Sequence, residues 1–351
     1  MSVRAKLERR VEGLIADPDA RKDEVRDQLI ADVAKWQAAR VPEYGRLHRQ
    51  SAWPPALPTD VFRVRRIASH PPEEDIRVFN SSGTTSSNRS THVFKDLRLY
   101  DAAARAAAKH MLFPDVDRMC LVLLAPHEDE APHSSLSYML TRFTEWFSAE
   151  HTWVWHDDSL DIDRFQTALG EAVADGQAVA LLGTSFAFVH AEDQLADLRV
   201  ALPRGSRIMH TGGYKGRSRE VEPTVLRRTM GVRYGIPEPW IIAEYGMTEL
   251  SSQLYETTLR DVLESISSPR RLWVPPWVRA IPVDPDTLEP VQNNARGVLR
   301  IDDCANLDSV CCIQTADLAM RIEDGIVVEG RAPGAVSRGC SLAADQALGL
   351  S

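Results

Sequence analysis

Apolar residues recur at helical spacing from the start of the chain. In residues 21–40, Val25, Leu29, Ile30, Val33 and Trp36 fall on one face of a 3.6-residue period, and residues 3–15 repeat the pattern, so two amphipathic helices are expected. Residues 41–60 break it: Pro42, Pro54, Pro55 and Pro58 each bias the preceding residue away from helix, which predicts extended connection. Short apolar runs at 120–125, 178–182, 206–210 and 240–243 then alternate with helical patterns at 98–112, 136–149, 161–174 and 219–230. Alternation of this kind predicts a mostly parallel sheet covered by helices. The texture changes near Trp273, where 273–283, 297–302, 309–314, 319–323 and 325–329 read as short strands, with Asp284-Pro285-Asp286 as a turn. The pattern therefore predicts an α/β fold with a small antiparallel β subdomain. Its expected divisions are N-terminal helices in 1–50, an α/β body in 51–272 and the β subdomain in 273–351.

Composition narrows the class of function. With 44% hydrophobic and 26% charged residues, the 351-residue chain is ordinarily globular, large enough for an α/β body and one appendage. The net charge of −9, with Lys and Arg scattered among acids, leaves no basic footprint, so neither nucleic acid nor an anionic membrane is expected as a partner. The N-terminus lacks the apolar run of a signal peptide and no segment is long enough to span a bilayer, so a cytoplasmic protein is expected. Cys120, Cys304, Cys311, Cys312 and Cys340 form an odd set without CxxC spacing, which argues against zinc and against a disulfide framework.

Candidate chemistry lies where apolar runs end in small polar residues, because ligands of open α/β sheets bind at the carboxyl ends of strands. Three such endings are Leu182-Gly183-Thr184-Ser185, His210-Thr211-Gly212-Gly213 and Glu244-Tyr245-Gly246-Met247-Thr248-Glu249. Upstream, Asn80-Ser81-Ser82-Gly83-Thr84-Thr85-Ser86-Ser87-Asn88-Arg89 surrounds one glycine with hydroxyl and amide side chains. Such a loop either cradles an anion on its N–H and hydroxyl groups or is a solvated linker, and it is not a Walker loop. In the 244–249 stretch, Tyr245 offers a flat face for a base, Gly246 lets backbone approach, Thr248 can donate to phosphate and Glu249 can hold Mg2+. The competing reading is a helix start capped by Thr248. Downstream, Asp317, with Gly330-Arg331 after it, can accept from ribose hydroxyls, or it is a turn residue.

In this order, the three elements resemble the adenylate-forming superfamily of acyl-CoA synthetases, firefly luciferase and peptide-synthetase adenylation domains. The resemblance implies that Ser81, Ser82, Gly83, Thr84, Thr85, Ser86 and Ser87 cradle the pyrophosphate of ATP. It places Tyr245 on adenine beside Glu244 and Gly246, Thr248 on the α-phosphate, Glu249 on Mg2+, Asp317 on ribose and Arg331 near a hinge. Gly212 and Gly213 match the adenine wall of relatives, beside which His210 is a candidate contact. The chain looks more narrowly like the acyl-protein synthetase family, the LuxE-type component of the fatty acid reductase complex of bacterial luminescence. Marks of that likeness are Pro58-Thr59-Asp60-Val61-Phe62, the Ser81 loop, Leu181-Leu182-Gly183-Thr184, Thr211-Gly212-Gly213-Tyr214-Lys215, Val274-Pro275-Pro276-Trp277-Val278, Asp284-Pro285-Asp286-Thr287-Leu288 and Arg338-Gly339-Cys340-Ser341-Leu342.

That family forms an acyl-adenylate from ATP and a fatty acid and passes the acyl group to a cysteine near its C-terminus, the position of Cys340. An adjacent cation, Arg338, favours the thiolate, although a lone cysteine is often an inert small hydrophobe. The mobile C-terminal lid of other superfamily members, with its catalytic lysine, is expected to be absent, since the last lysine is Lys215. Lys95, Lys215 or Arg338 is expected to take over its charge. The remaining cysteines read as structural, and His127 and His133 as surface loop residues. A reductase or carrier protein is the implied acyl-accepting partner. The alternative is a ligase that delivers its acyl or aryl group to CoA, a carrier protein or an amine. A nucleotide-binding subunit without turnover and a cysteine hydrolase using Cys340 are lesser rivals.

Overall fold

The computed structural model describes residues 1–20, 22–49, 54–81, 89–195, 199–212, 221–331 and 338–350, the side chains of 338 and 339 excepted. They form two compact units. One comprises Ala108–Gly246 and Tyr255–Arg270, the other Met1–Ala107, Met247–Leu254 and Arg271–Ser351.

The first unit is built on parallel strands standing side by side in the order Ile241–Tyr245, Arg207–Thr211, Val179–Thr184, Met119–Leu124 and Ser148–Trp153. The continuous apolar runs of Met119–Leu124 and Val179–Thr184 suit strands covered on both faces. Val122, Leu124, Val179, Leu181, Ile208 and Ile241 pack with Phe165, Phe188, Leu226, Met230 and Tyr234 in one buried cluster. Those partners come from the helices Ile162–Ala174, Ser185–Gln194 and Pro223–Tyr234. Each helix start is read from the chain: Asp161, Thr184 and Glu222 accept from the N–H groups of Arg164, Ala187 and Val225. Gly183 is required by packing, because a Cβ there would lie 2.7 Å from both Cβ and O of Leu124 on the neighbouring strand.

The second unit carries an antiparallel sheet in the order Leu272–Trp273, Gly325–Arg331, Cys312–Ile322, Arg296–Asp303 and Val278–Val283. Leu57 and Pro58 pair parallel with Ile313 and Gln314. The helix Asp23–Ala38 buries Leu29, Ile30 and Val33 of the face its periodicity predicts, together with Ala34, whereas Val25 is exposed and Trp36 half-buried. Its buried Gln37 donates to the carbonyls of Asn306 (2.7 Å) and Leu307 (3.2 Å) and accepts from the N–H of Cys311 (2.8 Å). A hairpin of Arg77–Asn80 and Thr91–Phe94 flanks the Ser/Thr loop. The last helix, Arg338–Leu348, lies against the helix Pro42–His48, and Arg46 Nε donates to the carbonyl of Ala347 at 2.6 Å.

Three local expectations change. Residues 42–48 are helical, not extended, because Pro42 occupies the first helical position, where its missing N–H costs nothing, and Tyr44 and Leu47 are buried. Cys312–Ile322 is one continuous strand through Asp317 rather than two strands meeting there. Ser148–Trp153 is a strand despite its polar sequence, and among the described residues it pairs with only one neighbour in the parallel row. No helix among the described residues is long and apolar enough to cross a membrane.

Candidate active site

In the parallel-sheet unit, register brings separate motifs together. Thr184, Thr211 and Glu244 stand abreast at the carboxyl ends of three adjacent strands, their side chains on one face. The Thr211 hydroxyl donates to Glu244 Oε2. Burial pushes the Glu244 carboxyl up to about 7, with Thr211 pulling the other way. Gly246 makes room for this carboxyl, since a Cβ there would lie 2.4 Å from Glu244 Oε1. Gly212, following Thr211, has φ +70°, a conformation glycine adopts without strain. Tyr245 is half-buried.

On the opposite face Gly183, His210 and Ala243 stand abreast, and the two small neighbours leave space for the imidazole. His210 Nδ1 and Ser185 Oγ share a hydrogen bond of 3.0 Å. Burial, then the charges of Arg227 and Arg270, bring the His210 pKa down to about 3, so the ring is neutral. Its Nε2 is buried without a hydrogen-bond partner among the described residues.

The 244–249 stretch passes from one unit to the other after Gly246. In the antiparallel-sheet unit no helix begins at Thr248. Residues 247–250 make a turn, with Leu250 N–H on the Met247 carbonyl at 3.1 Å, so the capping alternative is not what is observed. This turn is gripped by its backbone. His92 Nδ1 lies 2.7 Å from the Thr248 carbonyl oxygen, and Asn306 Nδ2 donates to the Glu249 carbonyl at 2.9 Å. Asp303 accepts from Ser251 N–H (2.9 Å) and the Ser252 hydroxyl (2.8 Å). Burial raises the Asp303 carboxyl to about 6 against those hydrogen bonds. Glu249 is buried and Thr248 half-buried. His92, Asn306 and Asp303 escaped the sequence reading. Only a lone histidine in an apolar strand, just past the Ser/Thr loop, hinted at the first.

Asp317 and Arg331 prove to be directly opposed residues of neighbouring antiparallel strands, so their side chains share a face. Asp317 N–H is taken by Thr315 Oγ1 at 3.1 Å. Ser81 closes the neck of its loop, its N–H on the Ser90 carbonyl and its Oγ accepting from Ser90 N–H, both at 2.9 Å. Lys95, one of the candidate cations, is ion-paired with Glu74. Cys340 is buried in the first turn of the last helix. Ser82, Gly83, Thr84, Thr85, Ser86, Ser87, Gly213, Lys215 and the Arg338 side chain lie outside the described residues.

Residues 50–349 match the family model described as acyl-protein synthetase, LuxE. No curated protein matches the sequence. Among solved structures, an open conformation of 2-hydroxyisobutyryl-CoA ligase in complex with 2-HIB-AMP and CoA superposes with a TM-score of 0.63 at 13% identity, over 92% of this chain and 78% of that one. The same ligase in its thioesterification state gives 0.63 at 15% identity, over 90% and 69%. McyG A-PCP complexed with phenylalanyl-adenylate gives 0.52 at 15% identity, over 75% and 42%. At these identities the likeness is one of fold, and the fold is that of adenylate-forming ligases.

Proposed function

The chain belongs to the LuxE acyl-protein synthetase family and is an ATP-dependent, acyl-adenylate-forming enzyme; from that premise we propose that it activates a fatty acid and carries the acyl group as a thioester on Cys340. The family match over residues 50–349, which includes Cys340, supports this reading most directly. The substrate carboxylate attacks the α-phosphorus of ATP, a P–O bond forms and pyrophosphate leaves. The Cys340 thiolate then attacks the acyl carbon of this mixed anhydride, and AMP leaves with the electron pair of the broken C–O bond.

In this proposal Ser81 to Ser86 and Thr248 hold phosphates, Tyr245 and Gly246, with Glu244, Gly212 and Gly213, serve the base, and Asp317 serves ribose with Arg331 beside it. Lys215 and Arg338 are the cations proposed to offset the charge that develops, because Lys95 is already paired with Glu74. Glu249 provides the hard oxygen donor that Mg2+ takes when substrate phosphates supply the rest of its shell, and the ion's contribution would be to neutralise phosphate charge. A cytoplasmic reductase or carrier protein is the proposed recipient.

The second reading is direct transfer to CoA, a carrier protein or an amine, favoured by the burial of Cys340. Intact mass after incubation with Mg·ATP and a panel of fatty and aryl acids separates the two. An acyl adduct that disappears in Cys340→Ala is the expected result. Unimpaired product formation by Cys340→Ala would establish the direct route instead.

A further inference from the structure

The geometry points to His92 as a positioning residue for adenylation, acting with Asn306 on the backbone of Thr248 and Glu249. The inference rests on the adenylating activity described above. It starts from two consecutive carbonyls, those of the residues assigned to the α-phosphate and to Mg2+. Both are held by adjoining side chains: His92 Nδ1 lies 2.7 Å from Thr248 O and Asn306 Nδ2 donates to Glu249 O at 2.9 Å, with His92 Nε2 packed 3.1 Å from Asn306 Oδ1. His92 and Asn306 are both fully buried, so no solvent competes for these bonds.

Both side chains are themselves fixed. The Asn306 carbonyl accepts from Gln37 Nε2 at 2.7 Å, and its N–H donates to the Asp303 carbonyl at 3.1 Å. The imidazole is stacked at a tilt on Phe94, with centroids 4.1 Å apart, and meets Phe62 edge-on at 6.4 Å. His92 belongs to the strand Thr91–Phe94, which follows the Ser/Thr loop, so one side chain ties that strand to the 248–249 turn.

Burial dominates the ring's charge state. It lowers the pKa to about 4 against the hydrogen bonds and the nearby Asp308 carboxylate, with His70 adding to the lowering. The neutral ring carries one proton, and the shorter contact assigns it to Nδ1, donating to the Thr248 carbonyl. Nε2 then has no proton to give Asn306 Oδ1, so their 3.1 Å approach is a packing contact and the two side chains hold the two carbonyls separately. Thr248 Oγ and the Glu249 carboxylate thus project from a backbone set in place before substrate arrives. Such preorganisation matters for a transition state and little for ground-state affinity.

The test compares His92→Leu, His92→Gln and Asn306→Leu in the full-length enzyme. ATP–pyrophosphate exchange should lose about tenfold or more in kcat in both leucine variants, with KM for ATP changed by no more than about threefold. Acyl transfer from supplied acyl-adenylate should stay at the wild-type rate. His92→Gln, whose amide can donate to Thr248, should recover part of the exchange rate. Equal losses in both half-reactions would reduce His92 to a fold-stabilising role, and full exchange in His92→Leu would dismiss it altogether. Should wild type itself exchange with no acid, the adenylation premise fails. Hydrogen exchange at residues 247–252 still decides the brace, because unchanged protection in His92→Leu overturns it.

Discussion

Glu244 and His210 occupy adjoining strands, and burial moves both toward neutrality in opposite directions on the pH scale. Glu244 titrates near 7 in the fold, above the ordinary 4.5, so the native state keeps a proton that the unfolded chain releases. That contribution is full below about pH 4.5 and is lost as the pH rises through 7. Replacing Glu244 by Gln abolishes it, so the variant should gain stability relative to wild type by about 2 kcal/mol between pH 5 and pH 8. Urea unfolding at the two pH values measures this, and a pH-independent difference would mean that the carboxyl does not titrate in this range. His210 behaves in the reverse sense: its stability contribution is present above 6.5 and lost as the pH falls toward 3. At this scale, the residue types of the 244–249 motif could be read from the chain, because local chemistry marks them. Their supports could not, since His92 and Thr248 are 156 residues apart and Asn306 and Glu249 are 57 apart.

Elements place these residues, and two of them invite direct tests. The strand Val179–Thr184 lies against Met119–Leu124 with no room at Gly183 for a Cβ beside the Leu124 backbone. Because the obstructing atoms include main chain, Gly183→Ala should cost about 1–3 kcal/mol, read as a lower urea midpoint, and an unshifted midpoint would show that the strands can part. The helix Arg338–Leu348, which carries Cys340, is held at its end by Arg46. Arg46→Ala should raise amide exchange across residues 338–348 and quicken iodoacetamide labelling of Cys340 severalfold. Unchanged labelling would show that other contacts of this helix set the exposure of the thiol. The strongly periodic helices and the apolar parallel strands were legible because burial on a fixed face imprints its period on the sequence. Pro42–His48 and Ser148–Trp153 were not. In the first, a proline usually read as a helix breaker sits at the one turn where it is tolerated, and in the second a polar strand lacks the apolar run that a doubly covered strand shows.

Across the whole chain, the antiparallel-sheet unit is closed by segments far apart in sequence, whereas the parallel-sheet unit is contained within residues 108–270. Several hydrogen bonds and an ion pair of the N-terminal segment are completed by the last one. Gln37 reaches Asn306, Leu307 and Cys311; Arg4 pairs with Asp308; Leu57 pairs with Ile313; and the Pro54 carbonyl accepts from Arg300 at 2.7 Å. Hydrophobic period marks each helix but not the distant strand that completes it, which is why this wiring could not be read in advance. A fragment ending at Arg270 therefore keeps every strand of the parallel row and loses all of these partners. Removing one partner of a buried hydrogen bond leaves the other to bear its desolvation, so the losses at Gln37 and Pro54 each weigh against an ordered N-terminal segment. In the 1–270 fragment, hydrogen exchange should remain slow at 119–124, 179–184 and 207–211, while residues 1–107 become open to protease. Protection of 1–107 at its full-length level would show that the N-terminal helices and hairpin hold their fold without the sheet. Loss of protection at both places would show instead that the parallel row depends on residues after 270.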